Sequence, residues 1–288
     1  MAKWTVADIP DQSTRTVIVT GANSGVGLAT AQAMAAAGAR VILACRNVDK
    51  GKAAAAIMAD TVEVRALDLA NLASVHEFAA SIDEPVDVLV NNAGVMAVPY
   101  RRTADGFEMQ TGTNHLGHFA LTGLLLDRVR GCVVTVSSSF HWFGRVDVDD
   151  LNWERRRYRR WLAYEQSKLA NLLFAYELAR RLTDSPTKSY ATHPGYVSTN
   201  LMSHTETMLD SVMALGNRLF AQSPAMGALP TLYAATADDL PNGSFIGPAR
   251  LMWGHPAVTR SSPASYDREK AAALWSLSEK LTDVTFSF

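Results

Sequence analysis

The fold of this 288-residue chain is decided near its N-terminus. The deciding stretch is Thr16-Val17-Ile18-Val19-Thr20-Gly21-Ala22-Asn23-Ser24-Gly25-Val26-Gly27, and an alanine-rich helical pattern over residues 28–37 follows it directly. The β-branched run at its start is typical of a buried parallel strand. A strand, a glycine-rich turn and a helix in this order can hold a pyrophosphate, because glycines admit close backbone approach and the helix N-terminus attracts anions. The alternative is a turn that only packs a helix close to a strand; its position after the first strand favours the phosphate site.

Composition narrows the function classes. The chain is 48% hydrophobic and 19% charged, which fits one large globular domain over residues 1–288. A formal net charge of -1 gives no electrostatic basis for binding nucleic acid or an anionic membrane. The two cysteines, Cys45 and Cys132, stand in apolar strand-like runs and make no disulfide framework. We therefore expect a cytoplasmic protein, with no signal peptide and no membrane anchor.

Strand-like and helix-like patterns alternate along the chain. Strands are predicted at residues 16–19, 40–45, 62–67, 86–90, 132–136 and 189–193, with a short last strand at 245–246. Helices are predicted at 28–37, 50–59, 71–81, 106–130, 161–182, 225–237 and 264–281. This alternation predicts an α/β fold, a single-domain Rossmann-type doubly wound parallel sheet with helices on both faces. A methionine-rich segment, residues 200–223, lies in a predicted substrate cover at about 196–224.

The end of the second strand bears on cofactor choice. It runs into Cys45-Arg46-Asn47, with no acidic residue before Asp49. An acidic residue near this point holds the ribose 2′-hydroxyl in NAD sites, whereas an arginine can pair with a 2′-phosphate. Arg46 therefore favours NADP(H) over NAD(H). The alternative is a solvated charge at a strand end.

The stretch Tyr164-Glu165-Gln166-Ser167-Lys168 places a tyrosine and a lysine on one helical face. Tyrosine has an ordinary pKa of about 10, and a neighbouring ammonium lowers that pKa by favouring the phenolate. Such a pair can donate a proton to a carbonyl or accept one from an alcohol. A half-buried tyrosine beside a snorkelling lysine is the competing interpretation.

Two more strand ends carry small or polar residues. The strand at 86–90 ends in Asn91-Asn92-Ala93-Gly94, which lets a chain pass close to a cofactor or simply makes a tight turn. The strand at 132–136 ends in Ser137-Ser138-Ser139. Open α/β sheets bind ligands at such carboxyl ends, although an ordinary turn would look the same.

Polar residues inside the predicted helix at 106–130 need partners. Asn114 either satisfies a buried network or organises water at a site. His115 and His118 have no carboxylate at metal spacing, so they are interpreted as structural and no metal site is expected. Further on, five arginines at 155–160 follow an acidic stretch and predict a partly self-neutralised, solvated segment, with an acidic substrate tail or carrier as the alternative.

Taken together, these motifs resemble the short-chain dehydrogenase/reductase family over about residues 15–199. Thr113-Asn114-His115-Leu116-Gly117-His118-Phe119 and residues 164–182 are most similar to its retinol-dehydrogenase-like group. The resemblance implies that Tyr164 exchanges a proton with the substrate, Lys168 tunes that tyrosine and holds the nicotinamide ribose, and Ser138 positions the substrate oxygen. Asn114 would anchor a water that links Lys168 to solvent.

The resemblance also implies a set of cofactor contacts. They are Gly21, Asn23, Ser24, Gly25, Val26, Gly27, Arg46, Asp68, Leu69, Asn92, Ala93, Gly94, Tyr164, Lys168, Pro194, Gly195, Val197 and Thr199. Asp68 would meet the adenine, Asn92 the adenine ribose region, and Thr199 the nicotinamide carboxamide.

The function expected from the sequence is NADP(H)-dependent hydride transfer between nicotinamide and a carbonyl or alcohol, on an apolar small molecule. A catalytically silent nucleotide sensor and a nucleotide-sugar epimerase are the rival hypotheses. The helix at 161–182 has an apolar surface broader than one stripe, which a second subunit of a homodimer or homotetramer could cover.

Overall fold

A computed structural model describes residues 3–197 and 221–288. One eight-stranded sheet lies at its centre, built from β1 (Thr16–Thr20), β2 (Arg40–Cys45), β3 (Val62–Ala66), β4 (Val86–Asn91), β5 (Val129–Val136), β6 (Lys188–Thr192), β7 (Phe245–Arg250) and β8 (Trp253–Val258). The strand order is β3-β2-β1-β4-β5-β6-β7-β8. Strands β1 to β7 run parallel, and β8 pairs antiparallel with β7. The strand order reverses between β1 and β4, so a ligand crevice is expected at the carboxyl ends of those strands.

Helices cover both faces of the sheet. They are α1 (Gly25–Ala36), α2 (Val48–Ala55), α3 (Leu72–Ala80), α4 (Met109–Thr111), α5 (Gly117–Leu125), α6 (Arg160–Arg181), α7 (Pro224–Thr236) and α8 (Arg268–Thr282). Helices α1 and α7 share one apolar core with one face of the sheet, whereas α3, α5, α6 and α8 share another core with the opposite face. The predicted Rossmann-type fold is therefore confirmed.

Alternating side chains along each strand divide these two cores. Ile18, Leu89 and Val133 point to the α5 and α6 side, while Val19 and Val134 point to the α1 and α7 side. All five side chains are fully buried. Burial on both faces explains why these strands appear in the sequence as continuous apolar runs.

The structure differs from the predicted elements in several details. The region predicted as one helix at 106–130 starts at Met109, contains a π-helical segment at Gly112–Leu116, and ends in a 3₁₀ turn at Leu126–Arg128. Strand β5 begins at Val129, before the predicted start. The edge strand β8 was not predicted, because its glycine and proline residues weaken the strand pattern.

Helix α6 is buried at every position from Ala163 to Ala179. Its cover comes from the chain's own C-terminal part, since Leu169, Leu173 and Leu274 share one apolar cluster. The stacked pair Phe174 and Trp275 extends this contact, with ring centroids 5.8 Å apart. The broad apolar surface that suggested a second subunit is thus covered from within the chain.

Candidate active site

The turn after β1 is shaped by the absence of side chains. Gly21 has a φ of +65°, in the left-handed region that favours glycine. A Cβ atom on Gly21 would lie 2.9 Å from the Cα of Ala93, and one on Gly27 would lie 2.7 Å from the carbonyl oxygen of Gly21 and overlap the amide of Asn92. These two glycines therefore let the ends of β1 and β4 and the start of α1 meet.

The N-terminus of α1 fits a dinucleotide pyrophosphate. Ser24 is its N-cap residue, and its side chain makes no capping hydrogen bond. The first-turn amides and the positive end of the helix dipole are thus left for an anion. Of the predicted contacts, Gly21, Asn23, Ser24, Gly25, Val26 and Gly27 all belong to this turn and first helical turn.

Two predicted adenosine contacts follow β2 and β3. Arg46 is exposed and makes no hydrogen bond or ion pair within residues 3–197 and 221–288, whereas its neighbour Asn47 caps α2 by accepting from the Lys50 amide at 2.8 Å. Asp68 is half-buried and accepts a hydrogen bond from the Ala70 amide at 3.0 Å. The side chain of Leu69 lies in the core, so only its backbone can face a nucleotide.

A buried hydroxyl organises the junction of β1 and β4. The Thr20 Oγ1 accepts the backbone amides of Asn92 and Ala93, each at 2.9 Å. It also contacts the Nε2 of His118 at 2.9 Å, and the Nδ1 of His118 lies 3.0 Å from the carbonyl oxygen of Asn114. Since a carbonyl only accepts, Nδ1 carries the proton and Nε2 accepts from Thr20. Burial lowers the pKa of His118 to about 4, which keeps it neutral.

Asn114 lies in the π-helical segment, and π segments occur frequently at functional sites. Its Oδ1 accepts the Val95 amide at 2.8 Å, and its Nδ2 donates to the Val95 carbonyl and to the Ser167 hydroxyl, each at 2.9 Å. The side chain is fully buried. These contacts form a buried network that ties the chain beyond β4 to α6.

Tyr164, Ser138 and Lys168 meet where β5 ends against α6. A hydrogen bond joins the side chains of Ser138 and Tyr164. The Lys168 Nζ donates to the Val136 carbonyl at 3.1 Å and lies 5.8 Å from the centroid of the Tyr164 ring. A Cβ atom on Gly94 would be 3.5 Å from that Nζ, so the chain after β4 passes directly beside the lysine.

Burial shifts the pKa values of both Tyr164 and Lys168. Burial raises the pKa of Tyr164 to about 12, and the hydrogen bond from Ser138 offsets only part of that increase. Burial also lowers the pKa of Lys168 to about 8. The Lys168 ammonium is directed at the Val136 carbonyl, and desolvation is the main cause of both shifts.

The three serines after β5 have separate contacts. Ser137 is buried and donates to the Lys168 carbonyl at 2.8 Å, which fastens β5 to α6. Ser138 contacts the tyrosine, and Ser139 begins a 3₁₀ turn at Ser139–Phe143. Of the three serines, Ser138 is thus the one that is hydrogen-bonded to the Tyr164 phenol.

The remaining predicted contacts follow β6. Pro194, Gly195 and Val197 are half-buried at its carboxyl end, and Gly195 has a φ of +74°. Val197 forms a β-bridge with Gln222. Thr199 lies outside the described residues, as does nearly all of the predicted cover at 196–224.

Aromatic residues surround the tyrosine. Met96, Ala97, Phe140 and Trp161 form an apolar cluster with Tyr164. Phe140 stacks on Trp161 at 5.4 Å and meets Tyr164 edge-on at 5.9 Å. Trp161 also lines a cleft of about 470 Å³, whose other walls are Pro99, Tyr158, Arg159, Arg160 and Leu162. The residues that line this cleft do not include Tyr164 or Ser138.

The arginine-rich segment is partly neutralised, as predicted. Arg156 pairs with Asp147 at 3.7 Å and Asp150 at 3.3 Å, and its guanidinium covers the Trp153 ring at 3.8 Å. Arg155, Arg157 and Arg159 are exposed. Among the described residues, no group of acidic, histidine and cysteine side chains could hold a metal ion. The same residues contain no helix of the length and apolarity needed to span a bilayer.

Comparison with known proteins places these motifs in context. The family model for short chain dehydrogenase matches residues 15–210. Human retinol dehydrogenase 13 is 44% identical over 283 residues, covering 93% of this chain and 84% of that protein. Human retinol dehydrogenase 12 is 41% identical over 287 residues, covering 94% and 87%.

Solved structures with the same fold are also similar to this chain in sequence. An uncharacterised protein from Mycobacterium paratuberculosis has a TM-score of 0.88 and 52% identity, with complete coverage of both chains. A protein from Beutenbergia cavernae, assigned as an NAD(P)-dependent gluconate 5-dehydrogenase and crystallised with NADP, has a TM-score of 0.62 and 26% identity, covering 83% of this chain and 96% of that one.

Proposed function

The chain belongs to the short-chain dehydrogenase family, in its retinol-dehydrogenase-like group, and is an NAD(P)-dependent oxidoreductase acting on CH–OH groups; from this premise we propose that it reduces an apolar aldehyde or ketone with NADPH. The observation that carries the proposal is the buried Tyr164 phenol, hydrogen-bonded to Ser138 and surrounded by apolar side chains.

The Tyr164 phenol is suited to act as the proton donor in the reduction that we propose. With its pKa raised to about 12, Tyr164 keeps its proton at neutral pH. A protonated phenol can donate to a carbonyl oxygen as negative charge develops there. Ser138 supplies a second hydrogen bond to the same oxygen and stabilises that charge. Lys168, beside both Gly94 and the end of β5, is placed to hold the ribose next to the reacting carbon.

The apolar cluster supports the substrate class. Phe140, Trp161 and Met96 offer no charged group to a substrate beside Tyr164, and burying apolar surface is worth about 25 cal/mol per Å². Retinol, in the names of the related enzymes, is an apolar alcohol of this kind. Long aliphatic and polyene aldehydes are therefore the proposed substrates, and short polar aldehydes should be poor ones.

Arg46 supports the choice of cofactor. Its exposed guanidinium at the end of β2 has no partner within the described residues and can form charge-assisted hydrogen bonds with a 2′-phosphate. When bound, the nicotinamide supplies the hydride. The glycine turn, the N-terminus of α1 and Arg46 together would hold the nucleotide.

The test is a turnover assay with purified protein and NADPH, using all-trans-retinal, nonanal and glyceraldehyde. We expect consumption of NADPH with the two apolar aldehydes and little with glyceraldehyde. Tyr164→Phe is the matched control: it should bind NADPH normally and lose at least about 1,000-fold in kcat. Equal turnover by that variant would overturn the role of Tyr164. Binding of NADPH without turnover of any of the three aldehydes would favour the nucleotide sensor instead.

A further inference from the structure

His141 is a buried histidine three residues beyond Ser138, and its side chain is 1% exposed. The Nδ1 of His141 lies 2.6 Å from the Ser138 carbonyl oxygen. On the opposite side of the ring, Nε2 lies 3.1 Å from the Ser262 backbone nitrogen. Both ring nitrogens are thus engaged by backbone groups from parts of the chain that are far apart in sequence.

These two partners determine the tautomer of His141. The Ser138 carbonyl can only accept, so Nδ1 carries the proton. The Ser262 amide can only donate, so Nε2 carries a lone pair. A protonated ring would direct an N–H group at another N–H group. Neutral His141 with its proton on Nδ1 is therefore the form that satisfies both contacts.

The ring is also held by its neighbours. Phe245 of β7 packs against it at 84° with centroids 5.4 Å apart. Ser262 is fixed from α6, because the Tyr176 hydroxyl contacts the hydroxyl of the adjacent Ser261 at 2.6 Å. The imidazole consequently links the backbone at Ser262 to the backbone at Ser138.

We propose that His141 is a positioning residue for the reaction, which fixes the Ser138 backbone through Nδ1–H so that the serine hydroxyl faces Tyr164. This inference rests on the proposed function. The Ser138 carbonyl oxygen accepts two hydrogen bonds from His141, one from its backbone amide at 3.0 Å and one from its ring. Apart from its hydrogen bond to Tyr164, the serine hydroxyl has one long contact, from the Phe140 amide at 3.4 Å, so the position of the Ser138 backbone decides whether the hydroxyl reaches the phenol.

A pair of variants separates the two ring contacts. In His141→Asn the amide nitrogen stands where Nδ1 stood and can still donate to the Ser138 carbonyl. In His141→Gln the amide stands near Nε2 and cannot reach that carbonyl. We expect His141→Gln to lose about tenfold or more in kcat for reduction of nonanal by NADPH. We expect the kcat of His141→Asn to stay within about threefold of that of the parent. The Kd for NADPH should stay within about twofold of the parent value in both variants.

A double-mutant cycle with Ser138→Ala shows whether His141 acts through the serine. If it does, His141→Gln costs little more in kcat once Ser138 is alanine. If the losses in kcat from His141→Gln and Ser138→Ala simply multiply, the proposal is wrong. It is also wrong if His141→Asn and His141→Gln lose kcat equally and in proportion to their fall in melting temperature. A loss-free Tyr164→Phe would instead overturn the proposed function, whatever the His141 variants do.

A spectroscopic measurement tests the same point without a substrate. The ¹³Cζ resonance of Tyr164, assigned by its disappearance in Tyr164→Phe, reports the hydrogen bond from Ser138. It should shift in Ser138→Ala and in His141→Gln by similar amounts, and stay unchanged in His141→Asn and in the exposed control His76→Gln. An unshifted resonance in His141→Gln would contradict the proposal.

Discussion

The two sides of the crevice at the carboxyl ends of the strands differ in which part of the chain forms them. The nucleotide side, between β1 and β4, is made of backbone, and its shape depends on Cβ atoms that Gly21 and Gly27 lack. The catalytic side, between β5 and α6, is made of side chains: Ser137, Asn114 and Lys168 are each buried and hydrogen-bonded. Crowding should therefore damage cofactor affinity on the first side, and loss of a hydrogen bond should damage turnover on the second.

The largest effect is expected on the catalytic side. Ser138→Ala removes a hydrogen bond aimed at the substrate oxygen, and we expect kcat to fall about 100-fold while the Kd for NADPH stays unchanged. Ser137→Ala is the matched control. Its hydroxyl bonds the Lys168 carbonyl, so its loss should lower stability by about 1–3 kcal/mol. Steady-state kinetics with nonanal and thermal unfolding distinguish the two; a larger kcat loss in Ser137→Ala would reverse the assignment.

On the nucleotide side, Gly27→Ala should weaken NADPH about tenfold or more, because the added Cβ would push against Gly21 and Asn92. Gly106→Ala is its control: Gly106 has a φ of +86° and open space around it. Both variants should lose stability, since one is crowded and the other is strained. Fluorescence titration of NADPH should show weaker binding only in Gly27→Ala. Unchanged affinity there would mean that the cofactor does not use this turn.

On the nucleotide side, which is otherwise made of backbone, Arg46 is the one contact that we propose for a charged side chain. Arg46→Ala should weaken NADPH about tenfold, since charge-assisted hydrogen bonds contribute about 1.5–3 kcal/mol and this one is exposed to solvent. NADH has no 2′-phosphate, so its affinity should change by less than about twofold. Titrations of both cofactors measure the ratio. Equal losses would show that Arg46 does not contact the phosphate.

The sequence predicts the groups that form the site better than it predicts the contacts that orient them. The glycine turn, the strand ends and the Tyr164–Lys168 spacing are local patterns, and the fold and the composition of the site follow from them. The contacts that orient these groups join distant residues: Thr20 meets His118 across 98 positions, and His141 meets Ser262 across 121. No short-range pattern carries such pairs. Helical spacing likewise predicts that Lys168 is a neighbour of Tyr164, but it does not predict how deeply the two side chains are buried.

A further predicted effect, on stability rather than on binding or turnover, is a dependence on acid at a histidine buried against α8. The Nε2 of His115 lies 2.9 Å from the Ser278 hydroxyl, and burial lowers the pKa of His115 to about 3. The unfolded chain has the ordinary histidine pKa of about 6.5. Between these values the unfolded state binds the proton and the folded state does not. The stability contributed by neutral His115 is therefore complete above about pH 6.5 and is lost as the pH falls towards 3.

His115→Gln removes this titration while keeping a side-chain amide that can donate to Ser278. Each buried neutral histidine contributes a slope of up to about 1.4 kcal/mol per pH unit below its unfolded pKa. Urea unfolding at pH 7, 6 and 5 should show a shallower loss of the free energy of unfolding in this variant than in the parent. His76→Gln changes an exposed histidine and is the control substitution. An identical slope in all three proteins would mean that His115 takes up its proton without unfolding, and that the buried layer beside α6 admits water more readily than its packing suggests.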